Sequence, residues 1–512
     1  MIGYMGIDIG TSGCKAAVFD ENGKQLSLAY REYDLIVRNK GWAELDSDNV
    51  IEKCFEVIKE AAGNCGAEKI AGLGISSQGE AFTPIDKDGR ALYNAIVSSD
   101  SRAAEYVHSW PKQFGKEKLY RITGHTSHSL FSLFKLLWLR DNEPEIFNSA
   151  DKFLCFEDLL QYRLGLEPAM GYPMAGRTML FDVTGHCWST EILESIGLDK
   201  SKFANPMPSG SLAGNVSGKV AKKIGLSEGT FVLTGGHDQP CCALGAGAIT
   251  PGKAVYSIGT VECITPAFDS PVFSDELRKN NLCTYDHAVK GTYATVAYSI
   301  TGANMFKWCR DELGQPEIEE ARNKNINAYE LILEHLDEEP TDLLALPYFT
   351  PSGTPYFETD IKGMIYGLTL STKRTEIIKA MLEAVTMEIK LNLDILKNSG
   401  CEVNELRAIG GGAKSSKWVQ LKADILGLPI SILDVKEAGC FGMAMLACSY
   451  DRKIPVADIA NRWVTVVSKK HPRPQFSEIY EQKFRQYKKL YPMLKESQFL
   501  YRDLETSSSS PR

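Results

Sequence analysis

Two kinds of hydrophobic pattern take turns along this chain. Residues 4–9 form a short, mostly apolar run, a tight Gly-Thr-Ser-Gly turn follows, residues 15–19 are apolar again, and a turn at residues 20–23 leads into a third run. Runs of this length bounded by turn residues predict three consecutive strands. Near residue 250 the same order recurs: residues 254–258 lead into Gly259 and Thr260, another strand follows, and a hairpin is expected around residues 289–291. Ile9-Gly10-Thr11 is echoed by Ile258-Gly259-Thr260 within matching surroundings, so the pattern predicts an internal duplication.

Between these openings, residues 70–75, 95–97 and 231–234 are short apolar runs, whereas residues 48–62 carry apolar positions at helical spacing. In the second half Ile378, Met381, Leu382, Val385, Ile389 and Leu393 mark one face of a long helix over residues 375–397, which precedes a strand at 405–409 and the glycine run 410–412. Strands alternating with helices predict an α/β fold. Gly245, Gly247, Pro251 and Gly252 give the chain freedom to cross between halves, so domains are expected at 1–246 and 247–495. Residues 505–512, with four consecutive serines, read as an unpacked tail.

The chemistry is expected where polar residues follow apolar runs. Asp8 closes the first strand, and Gly10, Thr11, Ser12 and Gly13 supply backbone amides and hydroxyls at one turn, with Lys15 close by. Such a turn can cradle phosphate, and a carboxylate there can organise the water shell of magnesium, which prefers oxygen ligands. The second copy at Gly259-Thr260 suggests two turns facing one nucleotide across a cleft. In Thr234-Gly-Gly-His-Asp-Gln-Pro, Asp238 follows a buried strand and a glycine pair, where it serves as a general base toward a substrate hydroxyl or as an N-cap. His237 is read as structural. Two further polar groups follow strands: Ser76-Ser77-Gln78-Gly79-Glu80 and Ser98-Ser99-Asp100-Ser101-Arg102. Strand ends of open α/β sheets are where ligands sit, and these residue types suit a polyhydroxylated molecule.

Composition narrows the partners. Hydrophobic residues are 44% and charged residues 24% of the 512, which allows a large core. A net charge of -8, from 57 basic against 65 acidic residues, gives no general attraction to nucleic acid. The 13 cysteines are scattered with no CxxC spacing, which fits reduced thiols in a cytoplasmic protein. No secretion signal is evident, and the longest strongly apolar stretch, residues 131–139, contains Lys135 and is shorter than the roughly 20 residues of a membrane span. No P-loop, protein-kinase or dinucleotide fingerprint occurs: after Gly72-Leu-Gly74 the third glycine is replaced by Ser77.

Several separated motifs together resemble the FGGY family of carbohydrate kinases, members of the actin-like ATPase superfamily. They are GIDIGTSGCKAAVFD at the start, GWAELD at 41–46, TGGHDQ around Asp238, GMIYGL at 363–368 followed by AMLEAVTMEI, and AIGGGAKSSKWVQLKADILGLPI from residue 408; YEQKFRQYKKLYP near the end is similar to xylulokinase tails. The resemblance implies two ribonuclease-H-like domains around a central cleft, ATP held mainly by the second and sugar by the first. By position it implies that Asp8 acts through Mg2+, that Thr11, Ser12, Lys15, Gly259 and Thr260 serve the phosphates, and that Asp238 is the base. Gly411, Gly412, Ser415 and Ser416 would line the adenosine pocket, and Gln78, Glu80, Asp100, Arg102, Asp238 and Gln239 would surround the sugar. A homodimer is common among such relatives.

In the substrate loop, Gln78-Gly-Glu-Ala matches neither the QMHG usual in xylulokinases nor the QRET usual in glycerol kinases. Loss of the arginine speaks against glycerol, and Gly79 is expected to make room for a longer substrate, a pentulose or similar polyol. Glycerol or another polyol remains an alternative, as do an actin-like ATPase without sugar acceptor and a non-catalytic sugar sensor.

Overall fold

The structure, a computed structural model, describes residues 1–508, with side chains through Glu496. Two sheets carry the architecture. The first contains β1 (Ile2–Ile9), β2 (Gly13–Phe19), β3 (Gln25–Glu32), β4 (Lys69–Ser77), β5 (Leu212–Asn215) and β6 (Phe231–His237) in the order β5-β6-β4-β1-β2-β3. The second is built around β7 (Gly252–Ile258), β8 (Glu262–Phe268), β9 (Tyr285–Asp286), β10 (Tyr293–Ala294), β11 (Ala297–Ser299), β12 (Val403–Ile409), β13 (Ile430–Leu433) and β14 (Val466–Lys470), in the order β9-β10-β8-β7-β12-β13-β14 with β11 also on β8.

The expected duplication is visible in strand sense. β1 runs antiparallel to β2 and parallel to β4, which is parallel to β6. β7 likewise runs antiparallel to β8 and parallel to β12, which is parallel to β13. The turn Gly10–Ser12 therefore occupies in one half the place that Gly259-Thr260 occupies in the other. The central strands are buried on both faces, since helices cover both, and they read as continuous apolar runs. The hairpin expected at 289–291 joins β9 to β10.

The helices that follow the last parallel strand of each half reach across to the other half. Helix α3 (Asp238–Gly245) follows β6, and while its Cys241 and Leu244 stay with the first sheet, Ala243 and the capping Ala246 cluster with Val255, Ile409 and Leu433 of the second. Helix α6 (Ala438–Arg452) follows β13, yet Cys440 and Met443 pack with Tyr4, Ala17 and Leu233 of the first. The two helices cross in backbone contact: a Cβ at Gly245 would stand 2.0 Å from the Ala438 carbonyl oxygen, and one at Gly442 would stand 2.4 Å from that of Cys241. Gly6 is equally constrained, since a Cβ there would lie 1.8 Å from the Cys440 oxygen. A cut at 246/247 therefore separates the sheets in sequence but not in packing.

The long apolar pattern of the second half becomes α4 (Arg374–Asn398), which fills the second core. The last helix, α7 (Pro474–Ser508), docks on that core through Phe476, Tyr480, Phe484 and Tyr487. It continues through residues 505–508, so that part of the expected tail is helical; residues 509–512 lie outside the described residues. Among the described residues none of the thirteen cysteines forms a disulfide, and no helix is long and apolar enough to cross a membrane.

Candidate active site

Both turns are held from behind, the first by backbone and side-chain bonds and the second by backbone bonds. In the first, the Gly10 amide donates to the Gly13 carbonyl at 2.9 Å, and Tyr33 donates its hydroxyl to the Gly10 carbonyl at 2.6 Å. Gln78 braces the same turn: its amide nitrogen donates to the Gly10 carbonyl at 2.9 Å while its amide oxygen accepts from the Thr11 hydroxyl at 3.2 Å. Gln78 is buried and spent in this way, so the structure gives it a bracing place behind the Gly10–Gly13 turn instead of the sugar-facing place expected from the motif. Ser12 is exposed at the turn's crest. In the second turn Gly259 accepts from the Ala303 amide at 2.8 Å, and Gly302 sits so close that a Cβ would meet the Gly259 and Thr260 oxygens at 2.8 and 2.9 Å. The glycine run lies beside it. A Cβ on Gly410 would be 2.8 Å from the Ile258 oxygen, whereas one on Gly411 would meet nothing within 4 Å, so Gly411 presents an open face. Gly412 packs on Ile258 and Trp418; Ser415 caps helix α5 (Ser416–Leu426) by accepting from the Trp418 amide, and Ser416 is exposed.

Asp8 stands between the halves. Ser76 donates to its Oδ1 at 2.7 Å, and the first turn of α6 lies against it, with a Cβ on Gly439 falling 3.0 Å from the Asp8 Cγ. Lys15 pairs with Glu437 at 2.7 Å, joining β2 to the start of α6. Burial raises the Asp8 pKa above the ordinary carboxylate range; Ser76 and Lys15 oppose the rise and Glu437 adds to it. Asp8 is thus within electrostatic reach of both Glu437 and Asp238, with Ser76 and Lys15 opposing the negative charge at Asp8 and Gln239 and Arg177 opposing it at Asp238. One or two carboxylates of this kind, completed by phosphate oxygens and water, fit the donor preference of magnesium.

Asp238 is the first residue of α3, and His237 occupies the N-cap position without a side-chain cap bond, so the carboxylate is not spent on capping. Its Oδ1 is buried with no hydrogen-bond partner among the described residues, although His237 Nε2 stands 3.1 Å away. The Asp238 side chain is 29% exposed. Its pKa is pushed up to about 7, first by burial and then by Asp8 and Glu80, with Gln239 and Arg177 pulling the other way. His237 is held neutral by burial and by Arg177, and its Nδ1 shares a 2.9 Å hydrogen bond with the Tyr285 hydroxyl. The unpartnered oxygen thus sits beside a neutral imidazole.

Glu80 faces this carboxylate from the strand-end loop. It is buried at φ 65°, a left-handed conformation uncommon for a side-chain-bearing residue. Arg177, at the end of α2 (Tyr172–Arg177), forms an ion pair with Glu80 Oε1, and Ser98 donates to Oε2 at 2.6 Å. The Glu80 carbonyl accepts from the Ser132 hydroxyl at 2.8 Å. Arg177 stacks over Phe131 and Tyr285 at 4.9 and 5.8 Å. Sequence reasoning missed Arg177 and Tyr285, because they lie on elements far from Glu80 in the chain and carry no local motif; Ser98 belongs to the polar segment 98–102 that it singles out, although Asp100 and Arg102 are the residues it picks from that segment.

Two expectations for the sugar pocket need correction. A Cβ on Gly79 would stand 2.9 Å from His237 Cδ2 and 3.5 Å from Arg177 Cβ, so the missing side chain makes room for these residues and not for a longer substrate. Asp100 and Arg102 do not offer free groups to the cleft. Their side chains are each 1% exposed and pair at 2.7 Å, Arg102 also pairs with Glu44 at 2.8 Å, and Asp100 accepts from the Ala43 amide at 2.6 Å. Arg102 lies 3.9 Å over Trp42 and 4.9 Å over Trp138, which explains the GWAELD motif as an anchor for its own loop. Ser98, four residues before Arg102, is the member of that segment that touches Glu80.

The family models for the N-terminal and C-terminal domains of the FGGY family of carbohydrate kinases match residues 3–245 and 254–450. The chain belongs to the FGGY family of carbohydrate kinases. It is 27% identical over 498 residues to xylulose kinase of Bacillus subtilis strain 168, covering 96% of this chain and 97% of that one. It is 25% identical over 464 residues to gluconokinase of the same strain, covering 90% of each. The solved structure of a xyloylose kinase from Brucella ovis superposes with a TM-score of 0.86 at 26% identity, over 96% of this chain and 99% of that one. As an FGGY kinase the protein is a phosphotransferase acting on a sugar hydroxyl, in the two-domain actin-like ATPase fold.

The Arg177–Glu80 pair yields a first prediction. Removing one partner of a buried pair typically costs about 3–5 kcal/mol because the other charge is left unpaired. Arg177→Ala is expected to lower the melting temperature and to raise KM for the sugar far more than KM for the nucleotide. Adding Glu80→Gln to Arg177→Ala should restore much of the melting temperature but not the sugar KM. Thermal scans and initial-rate kinetics on the three variants check both parts.

Proposed function

We propose that the protein transfers the γ-phosphoryl group of ATP to a hydroxyl of a pentulose, xylulose-like, or a related polyol. The observation that carries the reading is Asp238: a carboxylate with a buried, unpartnered oxygen and a pKa near 7, beside the Glu80–Arg177–Ser98 cluster and within electrostatic reach of Asp8. Thr11, Ser12 and Gly259-Thr260 would hold phosphates through amides and hydroxyls, and the open face of Gly411 beside Ile258 would receive the adenosine. Asp8 is the residue that would hold Mg2+, assisted by the carboxylate of Glu437, and the ion supplies neutralisation of charge on the phosphate oxygens. Glu80 retains lone pairs and Arg177 retains N–H groups to orient vicinal hydroxyls, and Gln239 lies at the same rim.

In that arrangement Asp238 takes the proton of the attacking hydroxyl as the oxygen approaches phosphorus, and the side chains around it need only position and desolvate the reactants. The crossed helices α3 and α6 link the halves, so closure around sugar can exclude water, the competing nucleophile. The pentulose assignment is supported by similarity to xylulose kinases; similarity to a gluconokinase makes sugar acids the first comparison. The test is ADP release from magnesium ATP across ketopentoses, hexuloses, polyols, glycerol and sugar acids. Strong stimulation by a ketopentose is the expected result; preference for a sugar acid or glycerol would redirect the substrate, and a rate indifferent to every compound would overturn the kinase reading in favour of an ATPase or sensor.

A further inference from the structure

The strand that delivers Asp238 is irregular just before the site. β6 pairs with β4 through Leu233 opposite Gly74 and Gly236 opposite Ser76, so one extra residue is inserted on β6. A bulge of this kind shifts the phase of every side chain beyond it and leaves a backbone group out of the ladder. The space is close-fitting: a Cβ on Gly235 would lie 2.0 Å from the Ile75 oxygen, one on Gly171 would lie 2.3 Å from the Gly235 oxygen, and Gly236 sits at φ 143°. The Gly235 amide donates to Glu157 Oε1 at 2.8 Å, and the Gly171 amide donates to both Glu157 oxygens at 3.1 and 3.2 Å.

Glu157 is 0% exposed and has no cationic partner among the described residues; burial pushes its pKa up to about 8, against the pull of the two amides. A carboxyl group is costly to bury without a charge partner, and an apolar side chain would serve a core better. Its geometry is instead that of a bracket between two backbone segments. One is the bulge three residues before Asp238, and the other is Gly171, which opens the helix ending at Arg177.

We infer that Glu157 is a positioning residue for phosphoryl transfer, fixing the β6 bulge so that Asp238 is aimed at the acceptor hydroxyl. The inference rests on Asp238 being the base. A misplacement of about 1 Å can cost about 10²-fold in rate. Glu157→Leu, which removes both acceptors, is expected to lower kcat by about 10- to 100-fold with KM for ATP nearly unchanged, whereas Glu157→Gln, which keeps a carbonyl acceptor, is expected to stay close to the parent.

The decisive arm repeats both substitutions in an Asp238→Asn background. If Glu157 acts through Asp238, Glu157→Leu has little further effect on kcat there, since groups that act as a unit are not additive. Full additivity, or a loss explained by a smaller fraction of active sites at unchanged kcat per site, would overturn the inference, as would Gln and Leu being equally damaging. If Asp238→Asn alone leaves kcat intact, the base assignment fails; if Asp238→Asn is damaging but Glu157→Leu is not, only the positioning role fails.

Discussion

Asp238→Asn is expected to lower kcat by about 10² to 10⁴ while binding of magnesium ATP changes little. The amide keeps the shape of the carboxyl but cannot take a proton. The pH dependence gives an independent check. With a pKa of about 7, Asp238 gains its proton as the pH falls, so kcat/KM of the parent should decline on the acid side of about pH 7. Stability runs the opposite way. The folded pKa is raised above the unfolded value, so the folded state holds more protons than the unfolded one between the two values, and stability falls as pH rises through that window. The contribution of Asp238 to stability therefore falls between about pH 4 and 7, and Asp238→Asn should melt higher than the parent above pH 7, with the gap closing toward pH 4. Parallel melting curves for the two proteins across this range would place the raised pKa elsewhere.

The second large effect is expected at Asp8. Asp8→Asn should reduce kcat/KM by about 10²-fold or more and should raise the magnesium concentration needed for half-maximal rate. The reason lies in what surrounds it: Asp8 is a half-buried carboxylate with Ser76 at 2.7 Å, the first turn of α6 against its Cγ, and Glu437 adding to its electrostatic burden. Removing that charge relieves the cluster, so folding should survive and the melting temperature should hold or rise. A magnesium titration beside a thermal scan separates a lost cation site from a damaged fold. A variant that titrates with magnesium as the parent does would remove Asp8 from metal binding.

The placement of both residues at strand ends is legible in the amino-acid sequence, and for the same reason. Asp8 lies next to the end of β1 and Asp238 directly follows β6, both strands buried on both faces, and a carboxylate at such a place, next to glycines, interrupts an apolar pattern in a way that core packing does not explain. Gln78 and the pair Asp100–Arg102 interrupt their patterns similarly, yet their side chains turn inward, Gln78 to the Gly10 carbonyl and Arg102 to Glu44 and Trp42. A polar residue after a strand signals that a special contact exists there; it does not say whether the contact is with a ligand or with another part of the chain.

What the sequence determined by itself was the alternation of strands and helices, the repeat of the Ile-Gly-Thr turn, the two strand-end aspartates and the glycine run at 410–412, all set by interactions within a few residues of one another. What only the tertiary structure decided was which distant groups meet: Arg177 on Glu80 across 97 residues of chain, Glu157 on Gly235 across 78, and α3 and α6 each reaching the other half's sheet. Those contacts depend on backbone approach at Gly6, Gly245 and Gly442 and on the bulge in β6, where a shift of one residue moves every side chain beyond it to the opposite face. Local patterning carries no record of such a shift, because its cause is the packing of segments that lie far apart in the chain.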